Sequence, residues 1–135
     1  KEIYDEIYQL KKKYKERIRL ITHPLNQEEL VELYKNCQIY IQPSKYESFG
    51  LCILEAMSSR RPVIAFKVGG MPKLINDCGF IVNNKEELLL KIDMLLNNKR
   101  LCEKVGAMAR REAEKYKWDI ITKKTIKFYR GILDE

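Results

Sequence analysis

Two acidic residues, Glu47 and Glu55, stand eight positions apart in the segment Pro43-Ser44-Lys45-Tyr46-Glu47-Ser48-Phe49-Gly50-Leu51-Cys52-Ile53-Leu54-Glu55-Ala56-Met57. Between them lies Gly50, which lets the backbone turn tightly into a helix. The first amides of such a helix, from about Gly50 to Ile53, have no intrahelical partner. With the positive end of the helix dipole they suit an anion, and a phosphate is the natural guest. Carboxylates repel phosphate but accept well from hydroxyls. Eight helical positions rise ~12 Å, about the span of a sugar, a diphosphate and a ribose laid end to end. The acids are therefore assigned to diols at the two ends and the amides to the phosphates between, the pattern of a nucleotide-sugar site. The plainer alternative is that Ser44-Lys45-Tyr46-Glu47 is a helix capping box and Glu55 a solvated helix residue. The segment alone supports either.

Other chemistries find little support. The four cysteines, Cys37, Cys52, Cys78 and Cys102, form no close pair, and His23 is the only histidine. A structural zinc site wants closely spaced ligands, so no metal is expected. A secreted disulfide scaffold would be denser in cysteine, so four reduced and mostly buried thiols are expected, in the cytoplasm. A lone histidine also argues against a Ser-His-Asp apparatus. Cys52 is expected to matter through its amide and to pack with its thiol.

These residues need elements to position them. Residues 2–16 read as a helix, with Ile3, Ile7, Leu10 and Tyr14 on one face. Ile18-Arg19-Leu20-Ile21-Thr22 is β-prone and stops at His23-Pro24. Asn26 is the expected N-cap of a helix over 27–36 carrying Leu30, Leu33 and Tyr34. Strands are expected at 38–42, 62–66 and 79–82, short helices at the apolar run 49–57 and at 71–77, and longer helices at 85–97, 99–116 and 118–133. Strands alternating with helices imply a parallel sheet of about four strands with helices on both faces, a Rossmann-like α/β fold. Ligands bind beyond the carboxyl ends of such strands. That rule selects the loops 23–26, 43–50 and 67–71.

With 135 residues the chain is one domain by size, and 45% apolar with 33% charged residues suits a globular protein. No apolar run approaches the ~20 residues that span a bilayer. The net charge is +7. It concentrates in Lys11-Lys12-Lys13-Tyr14-Lys15-Glu16-Arg17-Ile18-Arg19 and in Lys123, Lys124, Lys127 and Arg130. Attraction to an anionic membrane surface is one interpretation; solvated helix faces are preferred. No nucleic-acid module signature appears, and no nucleic-acid partner is expected. The abrupt start at Lys1-Glu2-Ile3-Tyr4 suggests a piece of a longer protein.

Several segments, in order, resemble one family. Glu47-Ser48-Phe49-Gly50-Leu51 with Leu54-Glu55-Ala56-Met57 is similar to the Glu-seven-residues-Glu signature of retaining family 4 glycosyltransferases, glycosyl transferases group 1, whose fold is the two-domain GT-B type. Cys37 to Ser44 resembles the family's strand and Pro-Ser turn. Arg61-Pro62-Val63-Ile64-Ala65 and Val68-Gly69-Gly70-Met71-Pro72 resemble its next strand and Gly-Gly loop. Gly79-Phe80-Ile81-Val82 resembles a later strand, and Tyr116-Lys117-Trp118 the element opening the final helix.

The resemblance implies that residues 1–135 are a single, truncated C-terminal nucleotide-sugar-binding domain. Glu47 would hold sugar hydroxyls of the donor as the catalytic carboxylate. Ser48 and the amides of Phe49, Gly50, Leu51 and Cys52 would meet the sugar and diphosphate, and Glu55 would bind the ribose. Leu25 would flank the nucleobase. No cofactor beyond the nucleotide-diphosphate sugar is implied, and the partners are that donor and an N-terminal acceptor domain lying upstream. Two departures stand out: His23 replaces a usual glycine, and Arg60, read as a cap for helix carbonyls, replaces a small residue. Trp118 and Tyr116 are expected to be core anchors. The rivals are a sugar-nucleotide epimerase of the same fold and a non-catalytic nucleotide-sugar-binding module. Cytoplasmic placement follows, with the inner membrane face as an optional contact.

Overall fold

In the computed structural model, which describes residues 2–133, helices and short strands alternate as α1 (Glu2–Tyr14), α2 (Gln27–Asn36), β1 (Tyr40–Gln42), α3 (Leu51–Ser58), β2 (Val63–Phe66), α4 (Met71–Ile75), β3 (Phe80–Val82), α5 (Lys85–Leu96), α6 (Lys99–Ala113) and α7 (Trp118–Leu133). Single 3-10 turns follow α1 at Lys15–Arg17 and α6 at Glu114–Tyr116. The side chain of Ile3 lies outside the described residues.

The sheet is parallel, in the order β1-β2-β3. Tyr40 faces Val63 and Gln42 faces Ala65; Ile64 faces Phe80 and Phe66 faces Val82. Each step to the next strand passes through a helix, α3 or α4, as parallel pairing requires.

Alternation along β2 sends successive side chains to opposite faces. Val63 and Ala65 join one core with Tyr34 of α2, Ile53, Ala56 and Met57 of α3, Met71, Leu74 and Ile75 of α4, and Ala109 and Ala113 of α6. Ile64 joins the other, with Val82 and with Leu95 of α5, bordered by Phe66, Phe80, Leu88 and Ile92. Helices therefore cover both faces.

Three strands form where four were expected. Ile18–Thr22 makes no ladder. A strand exists only through a neighbour that accepts its backbone hydrogen bonds, and no strand among the described residues pairs with this run. The other elements form close to their expected bounds. Asn26 caps α2 in a full capping box: its side chain accepts from the Glu29 amide at 2.9 Å, and Glu29 accepts from the Asn26 amide at 3.0 Å.

The last helix corrects a second expectation. Tyr116 is half-buried and meets Phe49 edge-on, with ring centroids 5.8 Å apart. Trp118 is not a core anchor: it is 83% exposed. The chain is extended at Lys117 (φ −59°, ψ 141°), and no residue of α7 is buried against the domain.

Candidate functional site

The Glu47–Glu55 segment closes on itself through three glycines. Gly50 precedes α3 with φ +90°, ψ 55°, a left-handed conformation that suits glycine. It is buried, and a Cβ there would lie 2.6 Å from Cε of Met71. Gly69 has φ +48°, and a Cβ on it would stand 1.7 Å from the Glu47 carbonyl oxygen. On Gly70 it would stand 2.5 Å from the Ser48 carbonyl oxygen. The Gly69–Gly70 turn after β2 thus lies directly against the backbone that carries Glu47 and Ser48. Two of the three loops selected from sequence meet here.

Gly50 offers no side chain to cap α3. The first helical bond is Leu54 N–H to Gly50 O, at 3.1 Å. The amides of Leu51, Cys52 and Ile53 precede it and have no intrahelical acceptor. Ser44 to Glu47 forms no capping box; the helix starts later, at Leu51.

Neither acid is buried. Glu47 is half-buried, and its Oε1 accepts the Ser48 amide at 3.1 Å. Glu55 is exposed, and its Oε2 accepts from the Tyr34 hydroxyl at 2.9 Å. The second oxygen of each carboxylate makes no hydrogen bond among the described residues. Both acids act on Tyr40. Burial first, then its neighbours Cys52, Glu55 and Glu47, push its phenol up to about 12. Burial and the Glu55 hydrogen bond drive the Tyr34 phenol well above its ordinary value. The rings of Tyr34 and Tyr40 stand 5.7 Å apart and tilted. Tyr34, Tyr40, Cys52 and Glu55 therefore form one neighbourhood beside β1, and Glu47, in the loop after β1, is near enough to act on Tyr40.

The remaining expected residues are spread around it. Phe49 and Leu51 are exposed. The Ser48 amide is already engaged by Glu47. Cys52 is exposed, which corrects its expected packing role; its thiol lies beside Tyr40. All four thiols are free, and only Cys78 is fully buried. Leu25 is half-buried and lines a shallow cavity of about 410 Å³ with Arg19, His23, Glu28, Leu33 and Asn36. At 100° per residue Glu28, Leu33 and Asn36 on that flank of α2 lie about 100–160° around from Tyr34. Leu25 thus sits on a different side of α2 from the Glu55 neighbourhood.

Arg60 does not cap α3 with its side chain. It occupies the left-handed position (φ +59°) of a Schellman motif instead. Its amide donates to Met57 O and that of Arg61 to Ala56 O, both at 3.0 Å. Arg61 Nε donates to Ser59 O at 2.9 Å, and Arg110 donates to Ser58 O. These two arginines serve the carbonyls that Arg60 was expected to serve.

Tyr34 was missed as a polar participant. The helix pattern marked it only as apolar, although a buried tyrosine hydroxyl needs a partner. Among the described residues no group of three or more His, Cys, Asp or Glu is placed to hold a metal ion, and no helix is long and apolar enough to cross a membrane.

The chain as a whole is similar in sequence and fold to known proteins. Over 112 residues the chain is 37% identical to a sulfoquinovosyl transferase, SQD2, of Arabidopsis thaliana, covering 78% of this chain and 22% of that protein. Over 116 residues it is 31% identical to a D-inositol 3-phosphate glycosyltransferase of Streptomyces griseus, covering 83% and 25%. The chain thus spans about a quarter of the length of these relatives. Its fold matches sucrose-phosphate synthase from Thermosynechococcus elongatus with a TM-score of 0.81 at 26% identity, covering 96% of this chain and 34% of that one. It matches the C-terminal domain of a group 1 glycosyl transferase, LpcC, from Francisella tularensis with a TM-score of 0.76 at 31% identity, covering 87% and 64%. The family model for glycosyl transferases group 1 matches residues 4–112, and the chain, an α/β domain with GT-B glycosyltransferases as its structural neighbours, belongs to that family.

Proposed function

We propose that this chain is the donor-binding part of a retaining hexosyltransferase that moves a sugar from a nucleotide sugar to a hydroxyl acceptor. The observation that carries the proposal is the uncapped start of α3. The amides of Leu51, Cys52 and Ile53 lack helical partners, and an acid with one uncommitted oxygen stands on either side. Helix-start amides stabilise a diphosphate as it departs, because they are fixed donors already aimed at the developing charge. Glu47 holds hydroxyls of the transferred sugar beside the reacting carbon. Glu55 holds the ribose. Fixing both ends of the donor removes rotational freedom before the chemical step. No metal or further cofactor has a part in this scheme.

The acceptor is held by another domain, and the chain alone is expected not to transfer sugar. The proposal places the enzyme in the cytoplasm. Where the acceptor is lipid-linked, the exposed lysines of α1 and α7 would face an anionic membrane surface.

Calorimetry with UDP, GDP and ADP and their sugars tests the scheme. Binding of at least one nucleotide sugar is expected, weakened by Glu55→Gln through the ribose. A chain that binds none of them is a scaffold, and the proposal falls. An unchanged affinity in Glu55→Gln removes that carboxylate from the site.

A further inference from the structure

We infer that Tyr34 is a positioning residue for Glu55, aiming its carboxylate at the donor ribose; this deepens the donor-site proposal and rests on it. Tyr34 sits on α2 and Glu55 on α3, 21 positions later, so the contact joins two separate helices. The Tyr34 ring is buried, 7% exposed, among Ile53, Ala56, Met57 and Val63, which leaves the phenol little room to turn. Its hydroxyl donates to Oε2 of an exposed glutamate in a part-buried bond. A glutamate side chain in water samples many rotamers, and fixing it in advance removes that entropy cost from binding. A hydrogen bond from a rigid, buried donor supplies the fixing.

The geometry also divides the work between the two oxygens. Oε2 is held by Tyr34, and Oε1 makes no hydrogen bond among the described residues. Only one carboxylate edge is left for a diol. The tilted ring of Tyr40, 5.7 Å away, supports Tyr34 from the sheet side. Tyr40 also feels Glu55, so both tyrosines border the same carboxylate.

The test compares UDP, GDP and ADP with their 2′-deoxy forms on the wild-type chain, Tyr34→Phe, Glu55→Gln and the double variant. Tyr34→Phe keeps the buried ring, and its thermal midpoint is recorded alongside to confirm the fold. For the nucleotide that binds best, the wild type is expected to prefer the ribose form about tenfold. Glu55→Gln should abolish that preference. Tyr34→Phe should reduce it by about threefold or more and leave the affinity for the deoxy form unchanged. The double variant should be no worse than Glu55→Gln, as expected for two residues acting through one contact. If Glu55→Gln abolishes the preference and Tyr34→Phe leaves it intact, the positioning role is overturned and the donor site stands. If Glu55→Gln does not alter the preference, or none of the nucleotides binds, the donor-site proposal fails and the role of Tyr34 falls with it.

Discussion

Replacing Gly69 with alanine should damage the candidate site from the far side of a turn. The new Cβ would stand 1.7 Å from the Glu47 carbonyl oxygen, and real Cβ atoms essentially never approach closer than 3.0 Å. The turn and the Glu47 backbone must therefore separate by more than about 1.3 Å. The obstacle is main chain, which cannot swing aside as a flexible side chain does. The φ of +48° adds the left-handed penalty of ~1–2 kcal/mol for an L-residue. Together these predict a loss of at least ~2 kcal/mol in urea-induced unfolding. Displacing a substrate-holding group by ~1 Å can cost a hundredfold in rate, so nucleotide-sugar affinity should fall by at least about tenfold. Gly131→Ala is the control. No atom lies within 4 Å of that Cβ, and alanine in a helix should be neutral or stabilising by up to ~1 kcal/mol. A Gly69→Ala protein with wild-type stability and affinity would refute the close packing of the two loops.

Arg60→Gly should stabilise the chain by about 1 kcal/mol, read from the shift in denaturation midpoint, because it relieves a left-handed backbone at the end of α3. Stability should also decline in alkali. Burial and then Glu112 push the Cys78 thiol from 9.0 to about 11, and burial and then Cys52 push the Tyr40 phenol from 10.0 to about 12. Both hold their protons more tightly in the folded chain. Their contribution is complete below about pH 8 and is lost as pH rises towards 12, up to about 3 kcal/mol for each; pH-dependent urea unfolding followed by circular dichroism checks the window and the sign. Trp118, the single tryptophan, is 83% exposed. Its fluorescence should match a hydrated indole and be quenched by acrylamide almost as freely as a small tryptophan amide.

Local signals made most of the fold legible. Asn26 with Glu29, the Gly69–Gly70 pair and the short apolar strands each carry their geometry in neighbouring residues. The strand expected at residues 18–22 depended on something no local pattern contains, a partner edge. Trp118 misled for a related reason. An aromatic at the head of an amphipathic helix predicts burial, but burial needs a surface to pack on, and no described residue of α7 is fully buried. In the candidate site, the paired acids and the glycine between them were visible as spacing. The bond from Tyr34 to Glu55 was not, because it spans two helices and appears only once the sheet holds α2 and α3 side by side. Arg60 was read through its side chain, whereas its backbone angle is what the helix end uses.

The middle strand also acts as a partition. Val63 and Ala65 press toward the helices that carry Tyr34 and Glu55, while Ile64 and Phe66 press toward α5. Adjacent residues of one short strand thus answer to two separate interiors. Changes beneath α5 can accumulate, or be introduced by an engineer, with little mechanical cross-talk to the acidic pair, and a combinatorial library confined to that compartment should yield variants of widely differing thermostability with the same ligand preference.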